Sequence, residues 1–292
     1  MGELLAPFEF PFFRNGVVVA TVAGALCGLI GTYVVLRRMS YLGHGLSHAV
    51  FGGAAAASVL GVNFYLGAGV WGVAAALAIG RIARRRVIGG DAAIGVVTTA
   101  SFALGLVLFG LFGRARRSPD ALLFGSPVGV DVVDVWIVVA LTVATGLVVA
   151  ARYRDLLFAT FDPEVADVSG VRTARVDALV MVVLAVGILV TVKVLGVVLV
   201  AGALVIPPTV ARLLSDRFAR VLWLSTAIGA GCGLVGMVAS YHLDVSSGAT
   251  IVLVGTVLFL AASAAHAWRR RARPAAPGTT RRPLAPSPLG RS

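Results

Sequence analysis

The sequence predicts an all-α protein, a polytopic transmembrane helix bundle with about nine (eight to nine) spanning helices. Three observations carry that expectation. Hydrophobic residues fill 59% of the 292 positions and charged residues only 13%, about half the charged share usual in a soluble domain. The mean hydropathy is +0.96. Apolar runs of membrane length follow one another along the chain, separated by short polar or arginine-bearing joints. A soluble domain of this length cannot keep so much apolar surface away from water. An ordinary cytosolic enzyme, a disordered chain and a disulfide scaffold are thereby excluded.

A spanning helix needs about 20 apolar residues to cross roughly 30 Å of hydrocarbon. Nine segments qualify: 16–36, 42–61, 64–83, 91–113, 132–151, 177–194, 196–212, 220–240 and 248–267. The second and third are separated only by Gly61-Val62-Asn63, a tight turn. The sixth and seventh meet near Lys193–Gly196, so one of them can be a half-helix, which gives eight crossings. The 35 glycines, set among Ala and Ser, predict close approach of helix backbones. Cys27 and Cys232 each lie inside an apolar run and read as small buried hydrophobes, neither a disulfide nor a metal pair. The first 15 residues carry Glu3, Glu9 and several Phe, which is not the pattern of a cleavable signal peptide. The expected organisation is a transmembrane domain over 1–267 with an inner loop at about 152–175. A basic, disordered cytoplasmic tail follows over 268–292, rich in Arg, Pro and Ala and in contact with anionic lipid.

The net charge of +12 comes from 24 Arg, one Lys and 13 acids. The arginines cluster at the ends of apolar runs, as positive-inside anchors do, so no nucleic-acid partner is expected. With the N-terminus outside and the C-terminus cytoplasmic, the inner side holds Arg37, Arg38, Arg81, Arg84, Arg85, Arg86, Arg152, Arg154, Arg172, Arg175, Arg212, Arg217, Arg220 and the arginines of the tail. That is 20 of the 25 basic residues. Arg114-Ala115-Arg116-Arg117 conflicts with this arrangement and suggests a re-entrant or interfacial stretch before Leu122-Leu123-Phe124-Gly125. Lys193 counts among the outer basic residues. Asp91 and Asp177 stand at segment edges and read as helix caps.

Four constellations carry chemistry. His44 and His48 stand four apart on one face of a helix, inside an otherwise apolar run. Two imidazoles at that spacing grip a soft or borderline cation from one side. A two-fold dimer would bring the same pair from a second copy. The alternative is a pair of packing histidines satisfied by backbone or Ser47. In the inner loop, Phe161-Asp162-Pro163-Glu164-Val165-Ala166 reads as a short helix capped by Asp162, begun by Pro163, with Glu164 at its positive end and Gly170 beyond its close. It is either a solvated loop helix or a docking helix for a soluble partner. Pro207-Pro208 interrupts an apolar helix and frees carbonyls, as a gating kink or a plain bend. His242 and Asp244 lie in an outer polar joint, where they meet an arriving cation or merely line a turn. His266, beside Trp268, reads as an interfacial anchor. No phosphate-cradling GxxxxGK[ST] stretch occurs, nor HExxH, nor GxSxG, so the chain is not expected to be an enzyme or to hydrolyse ATP.

The chain resembles the ABC-3 family of permease subunits of manganese, zinc and iron transporters over roughly residues 10–267. Gly43-His44-Gly45-Leu46-Ser47-His48-Ala49-Val50 is similar to the family's second-helix pattern. Phe161-Asp162-Pro163-Glu164-Val165-Ala166, Leu204–Phe218 and Asp244-Val245-Ser246-Ser247-Gly248 match three further patterns in the family's order. The family usually carries Asp at the place of His44 and Pro at the place of Ser246. Replacing that carboxylate by a second imidazole leans towards zinc over manganese. The resemblance implies a homodimeric pore in the cell (plasma) membrane that imports a divalent zinc, manganese or iron ion. It implies two cytoplasmic ATP-binding subunits that supply ATP hydrolysis and an extracytoplasmic metal-binding protein that delivers the ion. The competing expectations are a permease for a metal chelate or small cofactor, and a secondary carrier that needs no ATPase.

Overall fold

The computed structural model describes residues 6–84, 89–112, 119–126 and 129–272. Among them every regular element is helical. In chain order these are α1 (Pro11–Leu36), α2 (Ser40–Leu60), α3 (Phe64–Arg84), α4 (Gly90–Leu111), α5 (Pro119–Phe124), α6 (Val132–Ala151), α7 (Tyr153–Phe161), α8 (Pro163–Val168), α9 (Thr173–Leu195), α10 (Val200–Leu214), α11 (Phe218–Leu243) and α12 (Ser247–Ala272). Each of the nine apolar segments is a helix.

Seven helices are long and apolar enough to cross a membrane: α1, α3, α4, α6, α9, α11 and α12. The expected eight to nine exceeds what length and apolarity support. α2 has the length, 21 residues, but His44, His48, Ser40, Ser47 and Ser58 dilute its hydropathy. α10 has 15 residues, about 22 Å at 1.5 Å per residue, short of a full hydrocarbon thickness. The last helix runs on to Ala272, five residues past the expected edge of the tail. The remainder of the tail, Arg85, Arg86 and the Arg114–Arg117 cluster lie outside the described residues.

The core follows from which helices bury their apolar residues. In both α1 and α9, 72% of the apolar window is buried, against 22% in α6 and α12. α1 and α9 therefore run through the middle and α6 and α12 form the rim. α11 packs along α1 more extensively than any other helix pair, and small residues make that possible. A methyl group added at Gly24 would collide with the Gly229 carbonyl, and one at Gly28 with the Ser225 carbonyl. Ser225 Oγ donates to Gly28 O at 2.6 Å across the same crossing. This is the small-xxx-small packing that lets helices associate within lipid. α2 is wedged against α3 and α4, with α9 and α10 behind it. A side chain at Gly45 would strike Ile94, and one at Gly52 the Ser101 carbonyl. Cys27 and Cys232 are buried free thiols, as their apolar settings predicted.

Candidate metal site and partner-docking loop

α2 begins at a sharp joint. Arg38 takes a left-handed conformation with φ 57°, rare for a residue with a side chain. Arg38 N then donates to Val35 O at 3.1 Å and Met39 N to Val34 O at 2.8 Å. The chain turns here from α1 straight into the helix that bears the histidines. His44 and His48 stack edge to face, with ring centroids 4.9 Å apart and planes at 82°. On its other side His48 meets the Phe102 ring of α4 at 5.0 Å. Its Nδ1 is buried with no hydrogen-bond partner. Ser47, the alternative partner foreseen for the rings, instead donates its hydroxyl to His44 O at 2.7 Å. Leu42, Leu46, Ala49 and Val50 are buried, whereas Tyr41 and His44 are exposed and His48 half-buried. Residues 41, 44 and 48 lie on one strip, so this is the face that α2 leaves open. Among the described residues no three His, Cys, Asp or Glu side chains converge. One chain thus offers two imidazoles and an open side.

The prolines sit behind this strip. α10 continues through Pro207 and Pro208 without a break, so the expected interruption is corrected to an unbroken helix. Proline at 208 lacks the N–H that would bond to the Leu204 carbonyl. That carbonyl faces Gly31 of α1, where a side chain would overlap it. Close packing against α1 accommodates the freed group. The Leu204 side chain in turn reaches the Cβ position of Gly43, one residue before His44.

His242 and Asp244 are both exposed. His242 packs on Tyr241, with ring centroids 5.6 Å apart. Asp244 closes α11 in a left-handed conformation with φ 52°. Nearby, Ser246 Oγ donates to Phe124 O at 3.1 Å and Ser247 Oγ to Val194 O at 2.9 Å. These bonds tie the start of α12 to α5 and α9. The segment Leu122–Gly125 lies beside the α9–α10 connection, with Leu122 buried and Phe124 exposed, and Val197 N donates to Leu122 O at 3.0 Å.

At this same end of the bundle lies a network that sequence reasoning missed. Lys193, read as an outer surface charge, is buried and forms an ion pair with buried Asp134. Tyr65 donates its hydroxyl to Asp134 Oδ1 at 2.9 Å, and Asp131 N donates to Asp134 Oδ2 at 3.0 Å. The Lys193 ammonium also stands 4.7 Å from the Tyr65 ring centroid. The signal was available: opposite charges at the ends of two apolar segments are expected to find each other.

The loop expected at 152–175 folds as α7 and α8. Asp162 caps α8, its Oδ1 accepting from Val165 N at 3.0 Å, and Pro163 occupies the first turn. Gly170 follows with φ 83°. Ala166 is buried, while Phe161, Val165 and Val168 are exposed by 60%, 48% and 91%. Glu164, Asp162 and Asp167 are exposed beside them. The result is an apolar ridge flanked by acids. The loop is fastened to the bundle twice. Phe161 and Tyr33 both pack on Phe218, each at 5.7 Å. Arg37 donates to Ala159 O at 3.2 Å and pairs with Asp177 at 2.8 Å. Asp177, expected to be a cap, is the fifth residue of α9 and serves as that ion-pair partner. Arg37 therefore joins the loop, α9 and the joint leading into α2.

The sequence profile of the ABC 3 transport family matches residues 9–266. The manganese transport system membrane protein MntC of Listeria innocua is 32% identical over 254 residues, which cover 87% of this chain and 90% of the relative. MntB of Synechocystis, also described as a manganese transport system membrane protein, is 34% identical over 281 residues, 93% of this chain and 91% of the relative. Among solved structures, PsaBC from Streptococcus pneumoniae in complex with Fab contains a chain that superposes with a TM-score of 0.81. That chain is 31% identical, and the superposition covers 89% of this chain and 94% of the other.

Proposed function

The chain belongs to the ABC 3 transport family, and on that footing we propose that it is the permease subunit of an ATP-driven importer of divalent transition-metal ions. The observation that carries this reading is the His44–His48 pair, stacked on the open strip of a helix otherwise enclosed by protein. Two nitrogens on one side of an ion leave its shell half filled. A second copy of the chain, placed by a two-fold axis along that strip, supplies the other two. Ion and imidazoles then meet at the centre of a homodimeric pore. The N-terminus lies outside, the C-terminus in the cytoplasm, and α2 and α10 complete the crossings in the cell membrane. α10 with Pro207 and Pro208, touching Gly43, acts as the gate beside the pair. His242 and Asp244 stand at the entrance, where an extracytoplasmic metal-binding protein delivers the ion.

The energy comes from elsewhere, since the chain has no phosphate-binding loop. The Phe161–Val165–Val168 ridge with its flanking acids suits a groove of mixed apolar and basic character on a cytoplasmic ATP-binding subunit, one for each permease. Manganese is the cargo named for the relatives. The second imidazole at position 44 shifts preference towards softer, more azaphilic ions, zinc among them. Uptake of zinc and of manganese, measured with the ATP-binding partner present, tests the proposal. His44→Ala/His48→Ala should lower uptake by about 10- to 100-fold, the scale on which metal sites lose affinity when their ligand sphere is disturbed. His44→Asp should raise manganese uptake relative to zinc. Unchanged uptake and unchanged selectivity would remove the pair from the mechanism. Uptake by the chain without any ATPase would remove the importer.

A further inference from the structure

One cleft lies away from the histidines, and its chemistry has no role in the passage. It has a volume of about 540 Å³ and lies between the end of α6, the start of α7, the α8–α9 connection at Ser169–Val171 and the start of α9. Arg152, Arg172 and Arg175 line it together with Asp155. Arg152 stands 3.9 Å from Asp155, a loose contact at a distance where exposed pairs contribute little. Arg172 and Arg175 have no ion-pair partner among the described residues. The cleft thus holds a surplus of positive charge from guanidinium groups, whose fork of donors matches phosphate oxygens.

The other wall is apolar. Val148 on α6 and Leu179 on α9 line the cleft above the arginines. Val148 faces outward from α6 on the rim of the bundle, as do Val143 and Leu147, the three being exposed by 38%, 55% and 65%. The cleft therefore opens at its top onto a surface made for hydrocarbon and at its base onto guanidinium groups. The docking ridge residues Phe161, Val165 and Val168 do not line it.

We infer that this cleft is a binding site for an anionic phospholipid of the inner leaflet, with its phosphate between Arg172, Arg175 and Arg152 and its acyl chains along Val148 and Leu179. The inference rests on the membrane orientation of the proposed function but not on the metal site. A free phosphate has no use for the apolar wall, and the exposed ridge residues of α8 stand outside the cleft, whose border with the loop is Ser169, Gly170 and Val171 just after α8. Bilayers concentrate anionic headgroups at this depth, and basic pockets between spanning helices receive them. A lipid seated here bridges α6, α7 and α9, and so braces the loop that carries α8.

Native mass spectrometry of the detergent-solubilised full chain, titrated with cardiolipin, phosphatidylglycerol or phosphatidylcholine, tests the site. Wild-type protein should retain the two anionic lipids and lose phosphatidylcholine. Each guanidinium contributes about fivefold in affinity for an anionic surface, so Arg172→Gln/Arg175→Gln should lower retention about thirtyfold. A second variant, Val148→Asp, should lower it with all arginines in place. Thermal unfolding of both variants without added lipid checks that they fold. Equal retention by wild type and the double glutamine variant overturns the proposal, as does displacement of the lipid by millimolar inorganic phosphate. Unaltered lipid retention combined with lost capture of an ATP-binding partner would assign the arginines to docking instead. None of these readouts depends on metal transport, so a failed metal site and a failed lipid site are told apart.

Discussion

The two ends of the helix bundle hold their charges in opposite ways. At the end where α6 starts and α9 stops, Asp134 and Lys193 are both buried, and Tyr65 and the Asp131 N–H saturate the carboxylate. At the other end Arg37 is buried, but its partner Asp177 is 39% exposed and one guanidinium nitrogen of Arg37 has no acceptor. A cleft of about 390 Å³ opens beside it, lined by Pro163 and Thr160 of the loop. The first end is sealed by a desolvated, fully satisfied network. The second has spare donors and free space, as an end that changes shape requires. In the proposed importer the sealed end faces outward and the loose end faces the ATP-binding partners.

The sharpest way to break that comparison is to unbalance the sealed end. Asp134→Ala leaves a buried ammonium without its counter-charge and should cost about 3–5 kcal/mol, read as a large fall in thermal stability. Asp134→Leu/Lys193→Leu removes both charges and should recover most of that loss, because the pair's own desolvation penalty goes with it. At the loose end, Asp177→Ala should cost about 1 kcal/mol or less, since the carboxylate is part-solvated. Its larger effect should fall on coupling, with partner ATP hydrolysis persisting while uptake declines. A stability loss at Asp177 equal to that at Asp134 would erase the distinction between the two ends. The smallest effect belongs to the ridge. Val168→Ser, at a side chain 91% exposed, should change stability by no more than about 0.5 kcal/mol yet weaken co-purification of an ATP-binding subunit.

Much of the bundle was legible because its determinants are local. Apolar run length marks the helices, and all nine segments are helical. The Asp162 cap, Pro163 and Gly170 fix α8 within nine residues, so its geometry could be read from the chain. The His44–His48 stack follows from helical spacing alone. What escaped was tertiary. Lys193 meets Asp134 across 59 positions and Arg37 meets Asp177 across 140. Charge placement suggests that such residues seek partners, and the packed helices show which ones pair. The prolines inside α10 depend on tertiary packing in the same way. The freed Leu204 carbonyl is accommodated by Gly31 on another helix, so α10 need not break. The number of crossings stayed open because histidines and serines lower the hydropathy of α2 and because α10 is short.

The central claim is that two copies of this chain share one ion between four imidazoles. Equilibrium metal binding by the purified dimer, counted per chain with zinc and with manganese, measures this directly. One ion for every two chains, lost in His44→Ala/His48→Ala without loss of the dimer, is the predicted result. One ion per chain, or binding that survives the double substitution, would contradict it.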